Sequence, residues 1–347
     1  MTASDGPESE RSRHGPGRVL RQWTIARAID VGLAVARCLP SAAIDRLQHL
    51  IGALGPQLPV VARIVEKNMR AIGLYTPQAQ RDYFDNLAGH LAGAMQVWRF
   101  RDPGVTAALM PVRLAEQIHR RIELDESINV VREHVARGQG VVLVGPHLCG
   151  YLLYLARLNE VVPLSAYLRP ARVKRRRALH ERWMRTVGLR RLVDHESGSN
   201  PTLVMAGAVR DGGVVYLTPD LPRKRDEGEA VRFFDREIYL PAGLSLIARR
   251  AAAPMYFVSA RIERGVCRLA VQGPYEPPPK SAGRSPAGQH AMQWFADQFQ
   301  RLLSEQPGAW YFWADKRWTR VFRGDSRYTR MLAPQAIPTA AGAAAGS

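Results

Sequence analysis

Gly140-Val141-Val142-Leu143-Val144-Gly145-Pro146-His147-Leu148-Cys149-Gly150 holds a short apolar run, a hard stop and a histidine in succession. Four apolar residues, three of them β-branched, bounded by Gly140 and by Gly145-Pro146, predict a strand buried on both faces. From Tyr151 to Leu158 the apolar residues return to helical spacing. A buried strand, a tight loop with one polar side chain and a helix is the unit from which parallel sheets are assembled.

The same alternation continues on the C-terminal side. Val161 to Leu168 is a second apolar stretch, followed by a basic helix over Val173 to Val187 and a short strand over Leu189 to Val193. A helix over Thr202 to Arg210 leads through Asp211-Gly212-Gly213 into a strand at Val214 to Leu217. A helix over Gly243 to Arg250 precedes a strand over Met255 to Ala260, which turns at Arg264-Gly265 into Cys267 to Val271; Gln289 to Leu303 closes the series as an amphipathic helix. Towards the N-terminus, residues 41–125 read as helical throughout, with Gly and Pro at the joints. The expected fold is α/β: a largely parallel central sheet covered by helices, with an N-terminal helical region. The expected organisation is a disordered leader over 1–17, a helical membrane-associating region over 18–125, an α/β core over 126–331 and a disordered tail over 332–347, with 18–331 as one structural domain.

Composition narrows the partners. The 347 residues include 49 Lys and Arg against 31 Asp and Glu, a net charge of +18, and 46% are hydrophobic. Such a chain can bury a core, and its charge favours an anionic partner, nucleic acid or a phosphate-rich membrane surface. No zinc-finger spacing, RNP-like strand or basic heptad supports nucleic acid. Cys38, Cys149 and Cys267 lie far apart and in no metal-ligand pattern, so neither a disulfide framework nor a metal is expected. Ile25, Ile29, Leu33 and Ala36 recur at helical spacing, but Arg27, Asp30 and Arg37 interrupt the segment. It is too short and too charged to span a bilayer, and suits a helix lying on a membrane or on the protein's own core.

In open α/β sheets ligands bind beyond the carboxyl ends of the strands, and two ends carry chemistry here: Gly145-Pro146-His147 and Thr218-Pro219-Asp220. Histidine supplies a base that titrates near neutrality, which proton removal from a hydroxyl requires. The bland alternative is a histidine that caps the following helix.

The strand and loop around His147 resemble the active-site segment of the lipid A late acyltransferases, the lauroyl and myristoyl transferase family, which are lysophospholipid acyltransferase-like. Other blocks resemble that family in the same order: Asn68-Met69-Arg70, Tyr167-Leu168-Arg169-Pro170, Leu217-Thr218-Pro219-Asp220, Phe233-Phe234-Asp235-Arg236 to Pro254, and Pro307-Gly308-Ala309-Trp310 to Arg317-Trp318. The likeness runs from about residue 20 to 320. It implies acyl transfer from acyl carrier protein or coenzyme A, as thioester co-substrate with no other cofactor, to a hydroxyl of a lipid or glycolipid. It also implies a peripheral or monotopic position on the cytoplasmic face of the bacterial inner membrane, with no nucleic acid.

The chain departs from the family at one place. The family's H-x4-D/E motif sets an acid five positions after the histidine; here that position is Leu152. The next carboxylate, Glu160, would lie roughly 20 Å along the helix. Three readings follow. Another acid reaches the imidazole, with Asp220 the first candidate and Asp194 and Glu196 behind it; His147 works without an acid, or with the Tyr151 hydroxyl; or the chain has lost catalysis and keeps the fold for lipid binding or scaffolding. Arg169, Tyr151, Arg172 and Arg223 are the expected substrate- and phosphate-binding residues: the resemblance puts Arg169 on the acyl-donor or phosphate side of the cleft, and guanidinium forks match phosphate. A solvated helix face is the plainer account of the basic run. Trp310, Trp313 and Trp318 beside Lys316, Arg317 and Arg320 suit a membrane interface or, for the first two, ordinary packing.

Overall fold

Val141 to Val144 and Val214 to Leu217 are fully buried neighbours, paired in parallel with Val144 opposite Leu217. The computed structural model describes residues 38–99, 112–166, 174–191, 200–263, 265–275 and 287–332, with scattered positions between 23 and 36. The helices are α1 (Ser41–Leu54), α2 (Pro59–Arg70), α3 (Pro77–Arg99), α4 (Val112–Arg121), α5 (Asn129–Ala136), α6 (Tyr151–Val161), α7 (Lys174–Thr186), α8 (Pro201–Arg210), α9 (Gly243–Ala251), α10 (Ala287–Glu305) and α11 (Lys316–Phe322). The strands are β1 (Ile122–Leu124), β2 (Val141–Val144), β3 (Leu164–Ala166), β4 (Arg190–Arg191), β5 (Val214–Leu217), β6 (Glu229–Phe233), β7 (Arg236–Leu240), β8 (Met255–Glu263), β9 (Val266–Tyr275) and β10 (Thr329–Met331).

Among the described residues, seven strands form one sheet in the order β1-β9-β8-β2-β5-β3-β4. The run from β8 to β4 is parallel, β9 turns back antiparallel against β8, and β1 follows the direction of β9. The chain is thus an α/β protein with a largely parallel sheet and an N-terminal helical region. β2 and β5, at the centre, are uninterrupted apolar runs because every residue on them is buried.

Two elements differ from the sequence expectation. β1 lies inside the stretch that reads as helical, because three residues are too few for an alternation to stand out beside the amphipathic α4. A second, antiparallel sheet, β10-β7-β6, was not expected at all. Its hairpin turns through Phe234-Asp235, with Phe233 opposite Arg236, and Phe234 sits at φ +54° without being glycine. Arg236 is buried, and its guanidinium donates to the Ala71 carbonyl at 2.7 Å and to Asp235 at 2.7 Å. That arginine therefore ties the hairpin to the end of α2.

The closing aromatic block is core. Trp310, Trp313 and Trp318 are each fully buried, and Trp310 stands edge-on to Trp318 at 4.9 Å. This corrects the membrane-interface reading of that cluster, Trp318 included: its flanking charges point away while the indole packs against Phe233 and Phe322. Asn68, from the Asn68-Met69-Arg70 block, donates to the Trp313 carbonyl at 2.6 Å and to Thr319 Oγ1 at 3.0 Å, so α2 is clamped to the segment 313–319. Leu179, Trp183 and Val187 are buried core contacts. The leader over 1–17 and the tail from residue 333 lie outside the described residues.

Candidate active site

β2 and β5 end side by side, so the residues that follow them leave the sheet at one edge. Gly145 is the first; its N–H donates to the Leu217 carbonyl at 3.1 Å. A Cβ there would lie 2.7 Å from Tyr216 Oη and 2.8 Å from the Val258 carbonyl, so only glycine fits. Pro146 then turns the chain, and its carbonyl lies 3.4 Å from the buried Tyr154 hydroxyl. The turn delivers His147 opposite Asp220.

The contact between these two residues is two-pronged. His147 Nδ1 lies 2.5 Å from Asp220 Oδ1, and the His147 backbone N–H donates to Oδ2 at 2.8 Å. Asp220 is fully buried and the His147 side chain is 16% exposed, so one partner is sealed from water and the other reaches the surface. A buried carboxylate must be matched by donors, and Trp310 Nε1 supplies a further one to Oδ2 at 3.0 Å. Trp318 Nε1 fixes the Asp220 main chain through its carbonyl at 2.8 Å.

Aromatic rings surround the imidazole. Phe312 lies 4.7 Å from it and Tyr151 stands edge-on at 5.4 Å. Burial pushes the Tyr151 hydroxyl above its ordinary range, with Tyr311 and the charge of Asp220 adding to the effect. Tyr151 therefore stays a protonated hydroxyl rather than an anion. Behind it, His90 is buried and held down to about 4, by desolvation first and by the neighbouring His147 second. It is neutral, and its Nδ1 accepts the Gly150 N–H at 3.1 Å.

Of the expected site residues, the structure brings together His147, Asp220 and Tyr151. Arg223 is half-buried, three residues beyond Asp220, and its N–H is tied to the Tyr239 carbonyl at 2.8 Å rather than to the dyad. Arg169 and Arg172 lie outside the described residues, as do Asp194 and Glu196. Glu160 is committed elsewhere, 2.6 Å from His119 Nε2 and 2.5 Å from Arg157 Nη1. Leu152, where an acid was expected, packs against the hydrophobic core. Among the described residues no group of three His, Cys, Asp or Glu side chains stands where it could hold a metal ion.

The family model for bacterial lipid A biosynthesis acyltransferases matches residues 13–320. The chain belongs to that family. It is accordingly an acyltransferase, and the blocks quoted from its sequence fall inside the matched span. Comparison with curated proteins finds no match. In this acyltransferase position 152 holds leucine, and the carboxylate that meets His147 is Asp220.

Three participants escaped the sequence reading. His90 occupies a core position of α3, in register with Tyr83, Leu87, Ala94 and Val97 at spacings of three and four, and a histidine among such residues was the available signal. Trp310 as a donor to Asp220 and Phe312 as a neighbour of His147 arise from a long-range contact that no local pattern marks.

Proposed function

We propose that this acyltransferase moves a fatty acyl group from a thioester, acyl carrier protein or coenzyme A, to a hydroxyl of a lipid or glycolipid acceptor, with His147 as general base and Asp220 as the acid that orients it. What carries the reading is the pair of contacts between His147 and one buried carboxylate. With Nδ1–H donated to Asp220, the lone pair on Nε2 is free to take a proton. The acceptor hydroxyl passes its proton to Nε2 as its oxygen bonds to the thioester carbonyl carbon. The tetrahedral intermediate collapses by breaking the C–S bond, and the imidazolium returns the proton to the departing sulfur. The buried carboxylate stabilises the imidazolium while that charge exists. Arg169, Arg172 and Arg223 remain the candidates for anionic groups of donor or acceptor, and no cofactor beyond the thioester is invoked.

The site of action in this proposal is the membrane surface. Among the described residues no helix is long and apolar enough to cross a bilayer. Leu50, Leu54, Leu58 and Val60, on α1, α2 and the turn between them, are exposed. No carboxylate occurs between Arg46 and Val65. An exposed apolar stretch without its own carboxylates, on a chain of net charge +18, suits anionic lipid.

The test is transfer of a radiolabelled acyl group from acyl carrier protein or coenzyme A to a panel of glycolipid acceptors. Wild type is expected to turn over and His147→Ala to be inactive with an unchanged melting temperature. Activity retained by His147→Ala overturns the assignment. No turnover with any acceptor, combined with vesicle binding, points to a lipid-binding protein on the same fold.

A further inference from the structure

The loop that carries His147 is held from two sides. On one it runs along residues 309–311: the Cys149 N–H donates to Ala309 O at 2.8 Å, Leu148 pairs with Trp310, and the Tyr311 N–H donates to His147 O at 2.9 Å. On the other side Gly150 opens α6 with φ +86° and no side-chain cap. Its N–H belongs to the donors that a helix start leaves unpaired. His90, sixty residues earlier on α3, meets that donor with Nδ1 at 3.1 Å. The same ring stacks on Tyr151 at 5.0 Å and 24°, and lies 4.8 Å from Tyr311. Tyr151 in turn stands edge-on to His147. From a buried position His90 thus grips the two residues that start the helix after His147 and the segment paired with its loop.

We propose that His90 is a positioning residue for acyl transfer: its Nδ1 fixes the Gly150 turn, its ring face fixes Tyr151, and together they hold the His147 imidazole in line with Asp220. The proposal rests on the reading of His147 as the base. Two properties meet at position 90, and the first, which holds the turn, is the one on which the rate chiefly depends. One is an acceptor bonded directly to Cγ, and the other is a flat apolar face. Asparagine keeps the first, because its Oδ1 stands on Cγ as Nδ1 does in histidine. Glutamine carries its oxygen one bond farther out. Phenylalanine keeps only the face and leaves the part-buried Gly150 N–H without this acceptor.

The experiment compares His90→Asn, His90→Gln and His90→Phe with wild type, recording kcat and KM for donor and acceptor and the melting temperature of each. A displacement of order 1 Å at a catalytic group costs up to about 100-fold in rate. His90→Gln and His90→Phe are therefore expected to lose roughly 30- to 100-fold in kcat with KM within about twofold, and His90→Asn to stay within about fivefold of wild type. A Gln or Phe variant with wild-type kcat, or an Asn variant as slow as Phe, overturns the proposal. Should His90→Phe fail to fold, the Asn and Gln variants, which differ by one methylene, carry the comparison. The downfield proton resonance of the His147–Asp220 hydrogen bond gives a readout independent of turnover. It is expected in wild type and His90→Asn and lost in His90→Gln. If wild type turns over nothing, the functional reading fails on its own, while an identical resonance in all variants refutes the role of His90.

Discussion

Replacing Asp220 by asparagine changes one atom for another of nearly equal size, and the contacts around the carboxylate decide where the new amide points. Among the described residues, Oδ2 accepts from two donors, the His147 backbone N–H at 2.8 Å and Trp310 Nε1 at 3.0 Å, whereas Oδ1 faces only His147 Nδ1 at 2.5 Å. An amide nitrogen placed on the Oδ2 side would oppose two N–H groups that cannot turn into acceptors. Placed on the Oδ1 side it opposes one, and that one has an escape: the imidazole can shift its proton from Nδ1 to Nε2 and accept from the amide. Each buried unmatched donor costs roughly 1–3 kcal/mol, so the second arrangement wins by at least one such penalty. The result is a histidine held in place with its proton on Nε2, the atom that must be empty to act as base.

The expected outcome is a loss of about 10⁴ in kcat, the scale of a wrong tautomer in a histidine–carboxylate pair, which corresponds to roughly 5 kcal/mol of transition-state stabilisation. The fold should survive, since shape and the two donors to Oδ2 are kept. Acyl transfer from labelled thioester measures the rate, and thermal unfolding checks that the variant is native. Asp220→Asn within about tenfold of wild type, fully folded, would refute the argument and leave His147 working without an orienting acid.

Acid should weaken the protein through His90. Its folded value, about 4, lies below the ordinary 6.5 for histidine, so the unfolded chain takes up a proton first. Stability from this group is complete above about 6.5 and is lost as pH falls towards 4, by about 3 kcal/mol at about 1.4 kcal/mol per tenfold. Denaturant titrations of wild type and His90→Asn at neutral and acid pH test this, and parallel pH dependences would exclude it. At the membrane, Leu54→Ser combined with Leu58→Ser removes two half-exposed side chains. At about 1 kcal/mol for each, partition into phosphatidylglycerol-containing vesicles should fall roughly 30-fold while the melting temperature holds. Unchanged partition in a sedimentation assay would move membrane contact to another surface.

The parts of this fold that sequence reveals are those whose environment is uniform along the chain. β2 and β5 are apolar at every position because both faces are covered, and the loops after them announce themselves by proline, histidine and aspartate. The β6–β7 hairpin was hidden for the opposite reason. Glu229 and Arg236 stand at the inward positions of the alternation where apolar residues are expected, and the turn uses Phe234-Asp235 where a glycine would have marked it. Arg236 is buried against carbonyls that belong to α2 and α11, and that environment exists only once the chain has folded. The same division holds at the site. Asp220 could be nominated from its place at the end of a strand, but the tryptophans that bind it and the histidine behind it depend on contacts between segments 60 to 100 residues apart.

A carboxylate that meets the imidazole from a neighbouring strand sets its own demands on rigidity. An acid five positions after the histidine would ride on the same helix, and its distance to the imidazole would depend on one turn of backbone. Here the partner comes from β5, locked in register with β2 by hydrogen bonds on either side of Val144 and Leu217. A fully buried carboxylate is expensive unless its lone pairs are matched, and the closing segment of the chain supplies the missing donors. Trp310 serves the side chain and Trp318 the backbone carbonyl. Those indoles are in turn held by packing within the aromatic core and by Asn68, which anchors the segment between them. Leucine at position 152 fits this arrangement: with the acid delivered from the sheet, that face of α6 is free to pack against the core. On the proposed reading, Leu152 is the counterpart of a carboxylate supplied from the next strand.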